Sequence, residues 1–186
     1  MIRSIESIGV FCGSSSGHDP VYSRVATQLG GLLAQRGIAL VYGGAHVGLM
    51  GSIAEAALAS GGKVTGVIPQ SLMQRELAHQ GLTELRVVST MAERKELIID
   101  MSDAFIALPG SIGTLDELFE VWTTAQLGLH AKPCALLNTL GYFDQLLAFL
   151  DNVVDQGFMR HSHRSLLHVN DNPQALLAEL LDSSGA

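Results

Sequence analysis

Short apolar runs alternate with longer amphipathic stretches along the whole chain. The runs are rich in β-branched residues, while the longer stretches repeat apolar residues at helical spacing, and this alternation is typical of a parallel sheet flanked by helices. The pattern predicts strands over residues 7–12, 38–42, 63–68, 85–88, 104–108, 134–137 and 166–169. It predicts helices over residues 20–36, 49–60, 91–102, 114–127, 143–154 and 173–181. We therefore expect a doubly wound, mostly parallel α/β sheet with helices on both faces, in a single domain over residues 1–186.

The amino-acid composition excludes several classes of protein. Apolar types make up 47% of the 186 residues and charged types 16%, which indicates a folded globule rather than a disordered chain. The 11 Lys and Arg against 18 Asp and Glu give a net charge of -7, which argues against a nucleic-acid-binding protein. Cys12 and Cys134 lie too far apart for a zinc ribbon or a disulfide framework. With no export leader after Met1 and no long apolar span, we expect a cytoplasmic protein without a membrane partner.

Two glycine-rich loops follow the first two predicted strands. In the first, Gly13 and Ser14 begin a stretch of hydroxyls and small residues before a helix, which suits either an anion site or an ordinary serine-capped turn. The second contains Gly43, Gly44 and Gly48 but lacks the G-x-G-x-x-G fingerprint, so a nicotinamide-dependent oxidoreductase is disfavoured. His46 in this loop either contacts a substrate or packs within the protein.

A third loop, over residues 108–113, precedes the helix predicted to start at Thr114. We expect Thr114 to be the N-cap, with the neighbouring amides pointing at whatever the loop binds. Asp116 is then an acid that compensates the helix dipole in the first turn. Glu117 either closes a capping box on Thr114 or faces the cleft.

Arg94 and Lys95 stand near the start of the helix before the fifth strand. Adjacent cations oppose the helix dipole there, so they indicate a neighbouring anion-binding site. The alternative is that Glu93 and Glu96 neutralise them on a solvated helix face.

Other conspicuous side chains have simpler interpretations. His161, His163 and His168 lie on a polar stretch without a carboxylate or thiol to complete a ligand set, so we expect surface histidines and no metal site. Phe119 and Trp122 repeat at helical spacing and are expected in the core.

Three motifs together resemble one family. Met91-x-x-Arg94-Lys95, Pro109-Gly110-Ser111-Ile112-Gly113-Thr114-x-x-Glu117 and Gly43-Gly44-x-x-x-Gly48-Leu49-Met50-Gly51 are similar to motifs of the LOG ("lonely guy") family of cytokinin riboside 5'-monophosphate phosphoribohydrolases, often labelled possible lysine decarboxylases. The likeness runs from the first strand to about Gly157. It implies a Rossmann-like fold, a homodimer as the basic unit, and hydrolysis of purine (cytokinin-type) nucleoside 5'-monophosphates, including AMP, to free base and ribose 5-phosphate. It also implies that no metal or organic cofactor is needed.

The resemblance assigns roles to individual residues. The catalytic arginine and glutamate fall on Arg94 and Glu117; the former would hold the phosphate or polarise the base, and the latter would stabilise a cation-like sugar or position water. Lys95 would be a secondary electrostatic contributor or a surface charge. The substrate and phosphate contacts fall on Gly13, Ser14, Gly43, Gly44, Met91, Lys95, Gly110, Ser111, Ile112, Gly113 and Thr114.

One position departs from the family, because Ser111 replaces the second glycine of the usual Pro-Gly-Gly. A positive φ at this position would strain serine by about 1 kcal/mol, whereas an ordinary φ would let the hydroxyl add a phosphate contact or narrow the pocket.

Other functions stay open at this point. The chain could be a non-catalytic nucleotide-binding protein similar to molybdenum-cofactor carriers, or a family member weakened by Ser111. A lysine decarboxylase is disfavoured, because none of Lys63, Lys95 and Lys132 has an evident pyridoxal-phosphate pocket. The N6 substituent of the substrate and the choice between a dimer and a larger oligomer also stay open.

Overall fold

Seven parallel strands form one sheet in the computed structural model, which describes residues 4–73 and 78–183. The strands are β1 (Ser7–Phe11), β2 (Ala39–Tyr42), β3 (Val64–Pro69), β4 (Glu84–Val88), β5 (Ala104–Ala107), β6 (Cys134–Leu137) and β7 (Leu167–Asn170). Their order across the sheet is β4-β3-β2-β1-β5-β6-β7. The chain therefore builds outward from β1 to β4 and then returns to place β5 beside β1. This return makes the β1–β5 boundary the switch point, where α/β sheets bind ligands at the carboxyl ends of their strands.

The helices lie where the apolar periodicity places them. They are α1 (Pro20–Gln35), α2 (Gly48–Ala59), α3 (Met91–Met101), α4 (Ile112–Gln126), α5 (Asp144–Asp155), α6 (His161–Arg164) and α7 (Pro173–Ser183), with 3-10 turns at Gln70–Leu72 and Thr139–Gly141. Every predicted strand and helix is present, with boundaries that differ by at most two residues. The short α6 is a correction, because that stretch was expected to be a loop. Two parts of the sequence predictions lie outside the described residues. They are residues 1–3 at the start of the chain and residues 74–77 in the segment before β4.

Alternating side chains along the strands divide the core between the two faces of the sheet. In β1, Ile8 and Val10 pack against α1, α2 and α7, whereas Phe11 packs on the opposite face with α3, α4 and α5. Trp122 and Phe119 lie on that second face, as expected for core residues. The sheet is thus covered on both sides, which confirms the expected doubly wound fold, and it is parallel at every strand pair rather than mostly parallel.

None of the helices in the described part of the chain is long and apolar enough to cross a bilayer.

Candidate active site

A cavity of about 200 Å³ opens at the carboxyl edge of the sheet, at the β1–β5 switch point. Its floor is formed by the end of β1 and the loop that follows it, and its walls come from the starts of three helices. Its lining includes ten residues from those parts of the chain: Cys12, Gly13, Ser14, Gly43, Met50, Met91, Arg94, Ser111, Thr114 and Glu117. The cavity therefore joins residues that stand more than one hundred positions apart in the sequence.

Backbone hydrogen bonds lock the three glycine-rich loops to one another at this edge. The Gly13 amide donates to the Pro109 carbonyl at 3.0 Å, and the Gly13 carbonyl accepts from the Leu49 amide at 3.1 Å. Gly110 lies so close to Thr114 and to the Gly13 amide that a Cβ atom would collide with both. Glycine is required at position 110 because of this close approach, not because of an unusual φ.

The start of α4 differs from the sequence prediction. The N-cap is Ser111, not Thr114, and Thr114 is the third residue of the helix and is buried. Asp116 and Glu117 consequently lie beyond the first turn, so the predicted dipole role of Asp116 is wrong. Of the two alternatives for Glu117, the capping box on Thr114 is excluded, and the residue lines the cavity. The amides at the start of α4 lack intrahelical partners and face the end of the loop, which suits an anion.

Ser111 is not strained by its position in the loop. Its φ of -100° and ψ of -158° are extended values that any residue adopts. Its hydroxyl makes no capping hydrogen bond, and the residue lines the cavity. The substitution of the family's glycine is thus accommodated without backbone strain, and a polar group is left at the cavity wall.

Arg94 is the buried cation of the site. The residue is only 6% exposed, although it lines an open cavity. One terminal nitrogen donates to the Gly43 carbonyl at 3.3 Å, and the other contacts the Met91 sulfur at 3.8 Å. Its Nε is buried without a hydrogen-bond partner among the described residues. A buried guanidinium with such weak partners is suited to bind an anion or an electron-rich group.

The alternative of a solvated cationic face is therefore wrong for Arg94. Thr90 caps α3 by accepting the Glu93 amide at 3.1 Å, and the Glu93 carboxylate accepts the Ser89 amide at 2.7 Å. Glu93 thus helps to begin the helix and is not the partner of Arg94.

Glu117 approaches the same cavity from α4, and its charge acts on the cavity floor. Burial raises the pKa of the Cys12 thiol well above its usual range; Glu117 raises it further, and Arg94 lowers it. Both charges therefore lie close enough to Cys12 to be felt by one group. The thiol stays protonated at neutral pH and is not a nucleophile.

Four predicted substrate contacts lie outside the cavity lining. Lys95 pairs with Asp116 at 3.0 Å and with Glu120 at 2.9 Å, and Ile112 is 84% exposed. A Cβ atom at Gly44 would touch Ile68, so this residue packs against β3, and Gly110 lines an adjacent recess instead. The predicted residues that line the cavity are Gly13, Ser14, Gly43, Met91, Arg94, Ser111, Gly113, Thr114 and Glu117.

Tyr142 is a residue that the sequence did not single out. Its hydroxyl donates to the Gly110 carbonyl at 2.6 Å and so fixes the loop before α4. Tyr142 also lines the adjacent recess of about 260 Å³, which shares Gly13, Ser14 and Ser111 with the cavity. The only signal in the sequence is its position after β6, at the same edge of the sheet.

A histidine cluster lies beside the site. The His46 Nδ1 is 3.5 Å from a Glu55 oxygen, and the His46 and His79 rings are 4.8 Å apart. These three side chains are the one group of possible metal ligands in the described residues. The Gly81 amide donates to the His79 Nδ1 at 3.1 Å, so the neutral ring carries its proton on Nε2. Because neither nitrogen then offers a free lone pair, this tautomer does not suit a metal. His46 contacts these side chains and does not line the cavity.

The lysines do not suit a Schiff base in this cavity. The chain has three, and none lines it. Lys95 is held by the two carboxylates of α4, and Lys132 donates to the Ile99 carbonyl at 2.6 Å. The donor set favours chemistry at an anionic substrate without a covalent amine intermediate.

Solved structures with the same fold include molybdenum-cofactor proteins. The molybdenum cofactor binding protein of Rippkaea orientalis matches with a TM-score of 0.72 at 25% identity, over 98% of each chain. The molybdenum cofactor carrier protein of Chlamydomonas reinhardtii matches with a TM-score of 0.71 at 23% identity, over 97% of this chain and 99% of that one. The second likeness supports the fold alone. Fold and cavity together define a Rossmann-like α/β protein with a candidate ligand site at its switch point.

Sequence comparison then gives the family. A family model described as "Possible lysine decarboxylase" matches residues 50–180. LOG7 of Arabidopsis thaliana, a cytokinin riboside 5'-monophosphate phosphoribohydrolase, is 49% identical over 93% of this chain and 80% of that protein. The enzyme of that name from Rhodococcoides fascians is 47% identical over 94% of this chain and 89% of that protein. The chain belongs to the cytokinin riboside 5'-monophosphate phosphoribohydrolase (LOG) family.

The contact between Gly43 and Arg94 gives a first prediction. A Cβ atom at position 43 would overlap the Arg94 guanidinium, the movable end of a long side chain, and would lie 3.0 Å from the Met50 sulfur. Gly43→Ala should therefore displace Arg94 while the protein stays folded. We expect base release from a cytokinin riboside 5'-monophosphate to fall by roughly a hundredfold, the usual order for a misplacement of about 1 Å, with little change in melting temperature.

Gly31→Ala is the matched control, because a Cβ atom there meets only the Ser60 hydroxyl at 3.6 Å and the position is remote from the cavity. Unchanged activity of Gly43→Ala would show that the position of Arg94 does not matter for the reaction.

Proposed function

We propose that this chain hydrolyses the N-glycosidic bond of purine nucleoside 5'-monophosphates, both AMP and N6-substituted cytokinin-type nucleotides, to free base and ribose 5-phosphate. The observation that carries the proposal is the pairing of buried Arg94 with Glu117 on one cavity at the β1–β5 switch point. The names of the relatives in Arabidopsis thaliana and Rhodococcoides fascians support the same activity.

The phosphate is proposed to bind at the start of α4. Ser111 at the start of that helix and Ser14 in the first loop both line the cavity. Terminal amides and the helix dipole favour a phosphate there without a metal ion. The protein's net charge of -7 does not prevent this, because the amides at the start of α4 and the Arg94 guanidinium supply hydrogen-bond donors locally.

Glu117 is proposed to act at the sugar. When the bond between C1' and the base nitrogen breaks, the electron pair leaves with the base and positive charge develops on the ribose. A carboxylate near C1' stabilises that charge and accepts a proton from the attacking water, whose oxygen becomes the new C1' hydroxyl.

Arg94 is proposed to act at the base rather than at the phosphate. It contacts Gly43 after β2, whereas α4 follows β5, and these strands lie on opposite sides of β1. A guanidinium is too weak an acid to donate its proton at neutral pH. It therefore stabilises the negative charge that develops on the leaving base, which takes its proton from solvent.

A carrier function is the second candidate, because the solved structures with this fold include molybdenum-cofactor proteins. A carrier would need the anion site but not a carboxylate at C1'. The role of Glu117 therefore separates the two functions.

We also propose that the protein is a homodimer and lies in the cytoplasm. Ile112 and Leu129 are 84% and 72% exposed in the single chain, and a second copy could cover such apolar side chains. Cys12 and Cys134 are unpaired and buried, which is compatible with a reducing compartment.

The role of Glu117 is tested by Glu117→Gln. Free-base release from AMP and from N6-isopentenyl-AMP is followed by chromatography, and kcat should fall by roughly a hundredfold or more, the usual contribution of a positioned acid or base. The affinity for AMP, measured by calorimetry, should change little because the amide keeps the shape of the side chain. Glu96→Gln, an exposed carboxylate on α3, is the control. Wild-type protein that binds nucleotides but releases no base would favour the carrier.

The position of Arg94 is tested with a ligand that lacks the base. Arg94→Met should leave the affinity for ribose 5-phosphate within about threefold of wild type, while kcat for AMP falls by at least roughly tenfold. A large loss of ribose 5-phosphate affinity would place Arg94 at the phosphate instead.

The oligomeric state is tested by sedimentation equilibrium. A homodimer has twice the 19.7 kDa mass of one chain. A mass of one chain at micromolar concentration would contradict the dimer.

A further inference from the structure

Lys95 joins α3 to α4 through two ion pairs. Its Nζ lies 3.0 Å from an Asp116 oxygen and 2.9 Å from a Glu120 oxygen, and its side chain is only 20% exposed. The hydrogen bonds to Glu120 and Asp116 raise the pKa of Lys95 above its usual value, so the ammonium stays charged throughout the neutral range. We call these two contacts the Lys95 bridge.

The bridge lies directly beside the proposed catalytic pair. Lys95 follows Arg94 in α3, and Asp116 precedes Glu117 in α4. The two helices cover the same face of the sheet but make little direct backbone contact within the described residues. Side chains that reach between them therefore have a large part in setting their separation.

The ion-pair partners of Lys95 also make it a poor substrate ligand. The Lys95 ammonium has three hydrogens to donate, and the carboxylates of Asp116 and Glu120 already accept from it at close distance. Lys95 is not part of the cavity lining, and a phosphate would have to draw it away from both partners. The family motif places a lysine at this position, but the geometry gives it a task different from substrate binding.

We propose that Lys95 is a positioning residue, which holds α3 against α4 so that Arg94 and Glu117 face the same cavity. This inference rests on the proposed hydrolase function. It assigns to the Lys95 bridge a role in turnover and not in binding the nucleotide.

The first test replaces the cation. Lys95→Met should lower kcat for AMP by roughly ten- to a hundredfold, because the two catalytic groups lose their alignment. KM for AMP and affinity for ribose 5-phosphate should stay within about threefold, because the phosphate site does not include Lys95. Lys95→Arg should recover most of kcat, since a guanidinium can reach both carboxylates.

The second test removes the partners. Asp116→Asn together with Glu120→Gln leaves the cation in place but breaks the bridge, and kcat should fall as it does in Lys95→Met. Because Asp116 also lines the cavity and Glu120 does not, Glu120→Gln alone is measured beside it and should lower kcat in the same direction. The triple variant should be no worse than either, because all three residues serve one interaction. Unchanged kcat with a raised KM in Lys95→Met, and normal kcat in the Asn/Gln variant, would overturn the proposal in favour of substrate binding. Recovery of kcat in the triple variant would also overturn it, because unbalanced charge would then be the cause.

Lys132→Met is the matched control for helix stability. Lys132 holds the other end of α3 through the Ile99 carbonyl, remote from the cavity. We expect its loss to lower the melting temperature without changing kcat. A similar fall of kcat in Lys132→Met would overturn the proposal, because it would show that Lys95 acts only by stabilising α3. Failure of the hydrolase proposal itself is recognised separately, because the wild-type protein would then release no base.

Discussion

The burial of one guanidinium is the constraint on which the site depends. Arg94 is almost enclosed, yet its hydrogen-bond acceptors among the described residues are a backbone carbonyl and a methionine sulfur. A charge in such surroundings costs free energy unless a ligand or another group compensates it. Glycine at position 43 leaves the space that the guanidinium fills, and the cavity beside it leaves the space for a ligand. The free-energy cost of burying this charge therefore falls beside the cavity, where an electron-rich group of a ligand can contact the guanidinium.

The fold alone does not distinguish a hydrolase from a carrier. The same fold occurs in molybdenum-cofactor proteins at 22–25% identity, and a shared fold does not imply a shared reaction. The identity of 47–49% to phosphoribohydrolases is of a different order and extends over nearly the whole chain. In the proposed function the distinguishing chemistry is the carboxylate of Glu117, because binding an anion needs only the helix start and the loops around it.

The sequence predicted the sheet well because buried parallel strands are short apolar runs that are hard to mistake for surface helices. It predicted the start of α4 less well. Ser111 and Thr114 are both good caps, and the choice depends on Thr114 being buried beneath Gly110, a tertiary contact that no local pattern contains. Tyr142 was missed for the same reason, since its bond to Gly110 joins residues 32 positions apart.

Lys95 shows why adjacency in sequence misleads about a helical site. Successive residues of an α-helix point about 100° apart, so two neighbouring side chains rarely enter one cavity together. In the structure Arg94 and Glu117 line the cavity and Lys95 does not. Asp116 lines the cavity and also pairs with Lys95, which contacts Glu120 as well. The charge of Lys95 is thereby balanced by Asp116 and Glu120, and Arg94 is the cation that lines the cavity. A motif of this kind encodes the spacing of two helices as well as the chemistry between them.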